Sequence, residues 1–365
     1  MIRLMTTKLL CMASVVFSRY FGTVPRCLPV LLLFITDRCN LRCRMCGVCE
    51  RELLHGRANE LSCEEWCEVI ASAADKLGTF LVSISGGEAL LRPDLCDIIS
   101  FAASRGVSVH LCTNGSLMTE ERVDALRDAG VSMVSISVDG ADAFTHDFLR
   151  GKKSFDQALR AIRLLRSRAP EISVGINFLI APHNYKKMSD MISLAEREGV
   201  NKLKFAPLHT NLLHRFKDPE AFEDLFFSPE QLVELEGELK KLVKECARKK
   251  IFTVSRAFLK GIPQFYRGRQ SFRCYAGYAV AAISPSGELT PCCDLDTGLT
   301  VKERPLEEIW HDPMFQEARK RVRHCQAACW DTTNTELSLR LRPASVLGDL
   351  MQTLRELRFY FRTQK

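Results

Sequence analysis

A chain of 365 residues with 46% apolar and 26% charged side chains has ample surface to bury, which excludes a largely disordered protein. Its 20 glycines and 14 prolines are too few for a collagen-like or low-complexity sequence. Sixteen cysteines and a net charge of +7 are its two departures from an average composition.

The charge sits at the ends. Residues 1–27 carry Arg3, Lys8, Arg19 and Arg26 and no acid. Residues 336–365 carry Arg340, Arg342, Arg355, Arg358, Arg362 and Lys365 against Glu336, Asp349 and Glu356. Residues 28–335 are net neutral, so no nucleic-acid partner is expected.

Leu9–Phe17 is apolar and follows Arg3 and Lys8, faintly like a signal peptide. Ser18, Arg19 and Tyr20 interrupt it before a small-residue cleavage site, and it is too short to span a bilayer. The pattern predicts a short amphipathic helix over residues 5–21 that docks on the protein or on a membrane surface. Six short apolar runs then read as buried parallel strands: Val30–Thr36, Phe80–Ser85, Val107–Cys112, Met133–Val138, Ile172–Ile180 and Lys202–Ala206. Helix start signals lie between them. Ser62 with Glu65, Ser154 with Gln157, and Ser228 with Gln231 read as capping boxes, and Pro229 suits a first helical position. Gly78, Gly106, Gly130 and Gly199 precede strands where helices should end. Alternating strands and helices predict an α/β chain with a parallel sheet, either doubly wound or a partial barrel. The pattern runs out near residue 255, and Gly-, Pro- and Cys-rich sequence with a short strand at Val280–Ser284 follows. The expected division is an N-terminal helix (1–27), a core domain (28–255), a small Cys-rich domain (256–335) and a basic amphipathic tail (336–365).

Disulfide scaffolds are usually short, and this chain is long. Cys39, Cys43, Cys46 and Cys49 fall within eleven residues. Clustering of this kind points to metal ligands and a reducing cytoplasm. The C-x3-C-x2-C spacing of Cys39, Cys43 and Cys46 follows the first strand. Three thiolates this close can reach three corners of an iron–sulfur cube and leave one iron open for chemistry. With Cys49 as a fourth ligand, zinc is the alternative. Cys11, Cys27, Cys63, Cys67, Cys96, Cys112 and Cys246 read as small buried hydrophobes.

At this loop the chain resembles the radical S-adenosylmethionine (radical SAM) enzymes, although Met45 stands where that family often has an aromatic residue. The resemblance extends to Ser85-Gly86-Gly87-Glu88, Thr113-Asn114-Gly115, Ser137-Val138-Asp139-Gly140 and Leu149-Arg150-Gly151, each after a strand or the helix behind one. It implies a partial (β/α)6 barrel. It also implies a 4Fe–4S cluster on Cys39, Cys43 and Cys46 that binds S-adenosylmethionine. By family pattern Gly86, Gly87 and Glu88 meet its amino group, Asn114, Ser137 and Asp139 lie near its ribose, and Arg150 pairs with its carboxylate. Singly, Glu88 could be a surface acid, Gly-Gly a turn and Asp139 a helix cap. Farther on, Cys274, Gly287, Cys292, Cys293, Cys325 and Cys329 resemble a SPASM or twitch auxiliary domain. That likeness implies a second 4Fe–4S cluster on Cys274, Cys292, Cys325 and Cys329, with Cys293 spare; a structural zinc knuckle is the alternative.

The reaction implied is reductive cleavage of S-adenosylmethionine to a 5′-deoxyadenosyl radical that takes hydrogen from a substrate carbon. Implied partners are an electron donor such as flavodoxin or ferredoxin and a peptide or protein substrate, or else a small metabolite, sugar or lipid. The amphipathic basic tail reads first as a helix packed back on the barrel with its arginines in solvent; the alternative is a peripheral membrane contact through the basic ends. The rival class is a non-catalytic iron–sulfur carrier or zinc-binding module, which would not need Gly86–Glu88 or Arg150. No catalytic acid, base or radical-relay residue stands out.

Overall fold

The computed structural model describes residues 2–48, 59–200, 202–208, 219–269, 272–292, 294–327 and 329–342. Cys49, Cys293 and the tail beyond Arg342 lie outside the described residues.

All six expected strands form: β1 (Val30–Phe34), β2 (Leu81–Ser85), β3 (Ser108–Thr113), β4 (Met133–Ser137), β5 (Ser173–Ile180) and β6 (Lys202–Pro207). They pair in parallel in the order β6-β5-β4-β3-β2-β1, each beside its chain neighbour. Helices complete the crossovers: α1 (Ile2–Phe21) precedes the sheet, then come α2 (Cys63–Ala71), α3 (Leu95–Ser104), α4 (Glu120–Asp128), α5 (Ala143–Arg150), α6 (Ser154–Arg168), α7 (Met188–Arg197) and α8 (Pro229–Lys249). One face of α2, α3, α4, α6, α7 and α8 joins the strand side chains in a single core, from Leu31 and Val82 to Leu165, Leu194 and Leu239. This is the open, partial barrel expected of the sequence.

The capping boxes at Ser62 and Ser228 form with both reciprocal hydrogen bonds. The one expected at Ser154 does not. The Asp147 carboxylate of α5 already covers that helix start, accepting from the backbone of Lys153 (2.7 Å) and Phe155 (2.9 Å). An acid from a neighbouring element satisfies the positive helix end as well as a local cap would. Gly78, Gly106, Gly130 and Gly199 all adopt the left-handed conformation that ends a helix, with φ between +63° and +83°.

The C-terminal part contains α9 (Arg256–Tyr266), β7 (Val280–Ile283), β8 (Leu289–Thr290), α10 (Leu306–His311), α11 (Pro313–Arg323) and α12 (Asn334–Arg340). It does not build a sheet of its own. β7 pairs in parallel with β1, and β8 turns back on β7, so eight strands share one sheet. The segment around α12 is tied to the start of α9, where Glu336 accepts from the backbone and hydroxyl of Ser255, both at 2.8 Å.

α1 is longer than the apolar pattern suggested. Its Val15 packs with Cys27, Val30, Tyr278, Ala279 and Val280, at the N-terminal ends of β1 and β7. The reading of Cys11 and Cys27 as separate apolar thiols is corrected here: they form a disulfide that pins α1 to the entry of β1. Their separation of 16 residues gave no cluster pattern, so only the packing of α1 brings them together. Among the described residues no helix is long and apolar enough to cross a membrane.

Candidate functional site

The loop after β1 is held by backbone contacts before any side chain is considered. The amide of Gly87 donates to the carbonyl of Thr36 (2.7 Å), and that of Glu88 to the carbonyl of Arg38 (2.8 Å). The two chains lie so close that a Cβ on Gly86 would stand 2.4 Å from the Thr36 oxygen, and one on Gly87 2.1 Å from the Arg38 oxygen. Gly86 also has φ +123°, which other residues rarely adopt. The glycine pair is therefore required to dock the β2 turn against the segment entering Cys39.

A cavity of about 400 Å³ opens at the C-terminal ends of the strands, within the usual range for a small-molecule site. Cys39, Cys43 and Cys46 line it together with Gly86, Gly87, Asn114, Ser137 and Arg150. Cys43 is buried, and Cys39 and Cys46 are half-buried. Arg150 is the one cation among the described residues lining this cavity. Burial opposes its charge, yet Asp139 and the thiols of Cys43 and Cys46 hold its pKa above the ordinary value. Its Nε donates to the Asp139 carboxylate at 2.5 Å.

Two motif acids do not reach the cavity wall. Glu88 is fully buried, and its carboxylate accepts from the Thr113 hydroxyl (2.7 Å) and the backbone amides of Asn114 (2.8 Å) and Leu90 (3.1 Å). Burial raises its pKa against those hydrogen bonds. Through Asn114 it reaches the cysteine loop, because the Asn114 amide donates to Asn40 (3.0 Å), the neighbour of Cys39. Asp139 is fully buried behind Arg150. Its second oxygen accepts from the Leu179 amide (2.8 Å), and its own amide donates to Nδ1 of His146 (3.1 Å). Burial drops the His146 pKa to about 4, which suits that accepting role. Glu88 and Asp139, expected at the cofactor's amino group and ribose, hold Asn114 and Arg150, which line the cavity. Asn184 completes the network, donating to the carbonyls of Asp139 (3.0 Å) and Leu179 (2.7 Å). No motif marked Asn184; a polar residue just after an apolar strand was its only signal.

Cys274, Cys292, Cys325 and Cys329 lie near enough to influence one another electrostatically. Burial pushes the Cys274 thiol up to about 12, with Asp331, Cys292 and Cys325 adding to it. Burial likewise pushes Cys292 up to about 12, beside Asp294 and Cys325. Cys329 is raised by burial and then by Cys274, Asp331 and Cys292. Among the described residues no three such side chains converge closely enough for a single metal ion. Trp330, directly after Cys329, is buried with its Nε1 donating to the Phe258 carbonyl (3.1 Å). A Cβ on Gly261 would stand 2.0 Å from its ring, so α9 needs glycine there. Trp330, Asp331 and Thr332 continue onto the wall of the same cavity that the first three cysteines line. Motif reading passed over this shared wall, and over Cys112, which also faces the cavity.

The radical SAM superfamily model matches residues 33–195, and an iron–sulfur cluster-binding (SPASM) domain model matches residues 274–331. The chain belongs to the radical SAM superfamily. It is an enzyme of that superfamily, with a 4Fe–4S cluster that binds S-adenosylmethionine and further iron–sulfur binding in its C-terminal domain. Among curated proteins it is 29% identical to an AdoMet-dependent heme synthase of Methanosarcina barkeri (strain Fusaro / DSM 804), over 78% of this chain and 83% of that one. It is 28% identical to a PqqA peptide cyclase of Rhizobium meliloti (strain 1021), over 80% and 76%. Among solved structures, Streptococcus suis SuiB bound to its precursor peptide SuiA matches with a TM-score of 0.67 at 16% identity, covering 84% of this chain and 70% of that one. The radical SAM barrel with its C-terminal extension is thus shared with SuiB as a fold.

Proposed function

We propose that this radical SAM enzyme modifies a peptide or protein by abstracting hydrogen from one of its carbons. The observation that carries this reading is the cavity shared by the Cys39–Cys46 loop and the Trp330–Thr332 segment. A substrate held there meets the first cysteine loop on one side and the segment that follows Cys329 on the other. The SuiB–SuiA complex and the peptide cyclase relative support a peptide as substrate. The heme synthase relative supports a second reading, in which a small molecule fills the same cavity.

In this proposal Cys39, Cys43 and Cys46 hold the first 4Fe–4S cluster, and Cys274, Cys292, Cys325 and Cys329 hold one auxiliary cluster. When bound and reduced, the first cluster supplies the electron that splits S-adenosylmethionine into methionine and a 5′-deoxyadenosyl radical. Arg150 receives the cofactor carboxylate with the part of its guanidinium that Asp139 leaves open. The backbone of Gly86 and Gly87 and the side chains of Asn114 and Ser137 line the rest of the cofactor's space. Glu88 and Asp139 act through Asn114 and Arg150. A flavodoxin- or ferredoxin-type protein supplies the electron, and the enzyme works in the cytoplasm with its basic ends at a membrane surface.

Dithionite-reduced, reconstituted protein is expected to release 5′-deoxyadenosine from S-adenosylmethionine, and Cys43→Ala to abolish release and lower the iron content. A non-catalytic carrier or zinc module would release none. If 5′-deoxyadenosine forms but the mass of a precursor-like peptide encoded beside the gene is unchanged while a small-molecule candidate is consumed, the peptide reading fails.

A further inference from the structure

Ten large apolar side chains are markedly exposed among the described residues, and six of them lie on α1: Leu9, Leu10, Val16, Phe17, Tyr20 and Phe21. Their spacing puts them on one face of the helix, opposite Val15, Ser18 and Arg19, which are buried against the barrel. Leu10 is 71% exposed and Tyr20 64%, so this is a continuous apolar stripe and not a set of edges. The aromatic end is a cluster, with Phe17 and Phe21 ring centroids 4.4 Å apart and Tyr20 and Phe21 5.0 Å apart.

Beside that cluster lies the last turn of α11. Arg323 donates to the Tyr20 carbonyl at 2.8 Å, which brings Lys320, Arg321, Arg323 and His324, all exposed, next to the aromatic residues. No acid occurs in residues 1–27. An apolar helix face bordered by cations and aromatic rings has the character of an interfacial helix on anionic lipid. Leu337 of α12 packs against the same small cluster that holds Val15 of α1. The sequence beyond Arg342 adds Arg355, Arg358, Arg362 and Lys365 among leucines and aromatics.

We propose that the outer face of α1, with the last turn of α11, docks on an anionic lipid bilayer. This rests on the reading of the basic ends as membrane-facing and fixes which side chains do it and how the enzyme is turned. α1 covers the N-terminal ends of β1 and β7, whereas the reaction cavity opens at the C-terminal ends of the strands. The cavity mouth therefore faces away from the bilayer. The reacting part of the substrate comes from the aqueous side, which suits a peptide better than an acyl chain.

The test is flotation of the full-length, cluster-loaded enzyme with vesicles of phosphatidylcholine, alone or with about 30 mol% phosphatidylglycerol, at low salt. Partition onto the anionic vesicles is expected to exceed that onto neutral ones by roughly tenfold. Phe17→Glu is expected to remove most of the partition, and Lys320→Glu with Arg321→Glu to remove the preference for anionic lipid, both with unchanged release of 5′-deoxyadenosine. No partition of the wild type, or equal partition of Phe17→Glu, overturns the proposal. So does a wild-type dimer in sedimentation that Phe17→Glu converts to monomer without any vesicle binding, because the stripe then meets a second copy. The 5′-deoxyadenosine readout separates these failures from failure of the radical SAM reading.

Discussion

Replacing Asp139 with Asn tests whether the buried acid sets the position of Arg150. The pair is sealed, with the Asp139 side chain fully buried and that of Arg150 15% exposed. Asn keeps the shape and can still accept from the Leu179 amide, which lies 2.8 Å from Oδ1. At the other position an N–H₂ faces the Arg150 Nε–H, so a 2.5 Å charged hydrogen bond becomes a donor–donor contact. Hydrogen bonds between charged groups contribute about 1.5–3 kcal/mol, and removing one partner of a buried pair costs up to about 3–5 kcal/mol. If about 1.5–3 kcal/mol of this is lost in orienting the guanidinium, S-adenosylmethionine binding weakens roughly 10- to 100-fold. Equilibrium dialysis of labelled cofactor against the anaerobic holoenzyme measures it, with iron content as a control that the cysteine loop is intact. The reasoning is refuted if Asp139→Asn binds the cofactor within about twofold of wild type while being less stable in urea. The pair would then only hold the scaffold, and Arg150 would find its position without it.

The remaining expectations concern stability and assembly. Burial holds the His146 imidazole at about 4 against an ordinary 6.5. The folded state is therefore unpenalised above pH 6.5 and loses about 3 kcal/mol progressively as pH falls toward 4, because the unfolded chain takes up the proton first. His146→Gln, which keeps an acceptor, should flatten this acid limb, and equal losses between pH 7 and pH 5 in urea titrations of both proteins would sink the idea. Gly87→Ala drives a Cβ to 2.1 Å from the Arg38 carbonyl and should cut the iron bound per chain by about half or more. Gly237→Ala, in open space on α8, should instead stabilise by about 0.5–1 kcal/mol in the same denaturation assay. Cys11→Ser removes a cross-link spanning 16 residues and should cost about 3 kcal/mol. Dithiothreitol should then lower the melting temperature of the wild type but not of the variant.

The barrel was legible because its strands are short apolar runs bounded by glycines, and burial on both faces requires that pattern in a parallel sheet. Local signals succeeded where the partner was local, as at Ser62 with Glu65. They failed where the partner came from elsewhere, as when Asp147 displaced the cap expected at Ser154. The change of composition near residue 255 is legible in the sequence. That change could not reveal that β7 pairs with β1, since strand pairing across some 250 residues leaves no trace in local sequence. The disulfide failed for the same reason.

The site divides along a similar line. Residues that follow a strand directly and have small or flexible groups, such as Gly86, Asn114 and Ser137, were expected at a cavity and line one. Glu88 and Asp139 belong to the same motifs, yet each is fully buried with its carboxylate oxygens engaged by protein donors. A motif records which residues travel together, and both a ligand-touching residue and the residue that aims it satisfy that record. Burial and hydrogen bonding separate them: Glu88 accepts from Thr113 and Asn114, Asp139 from Arg150 and Leu179, and neither side chain lines the cavity. The cofactor contacts proposed above accordingly rest on the residues that line the cavity, the three cysteines, Arg150, Asn114, Ser137 and the glycine pair, with Glu88 and Asp139 behind them.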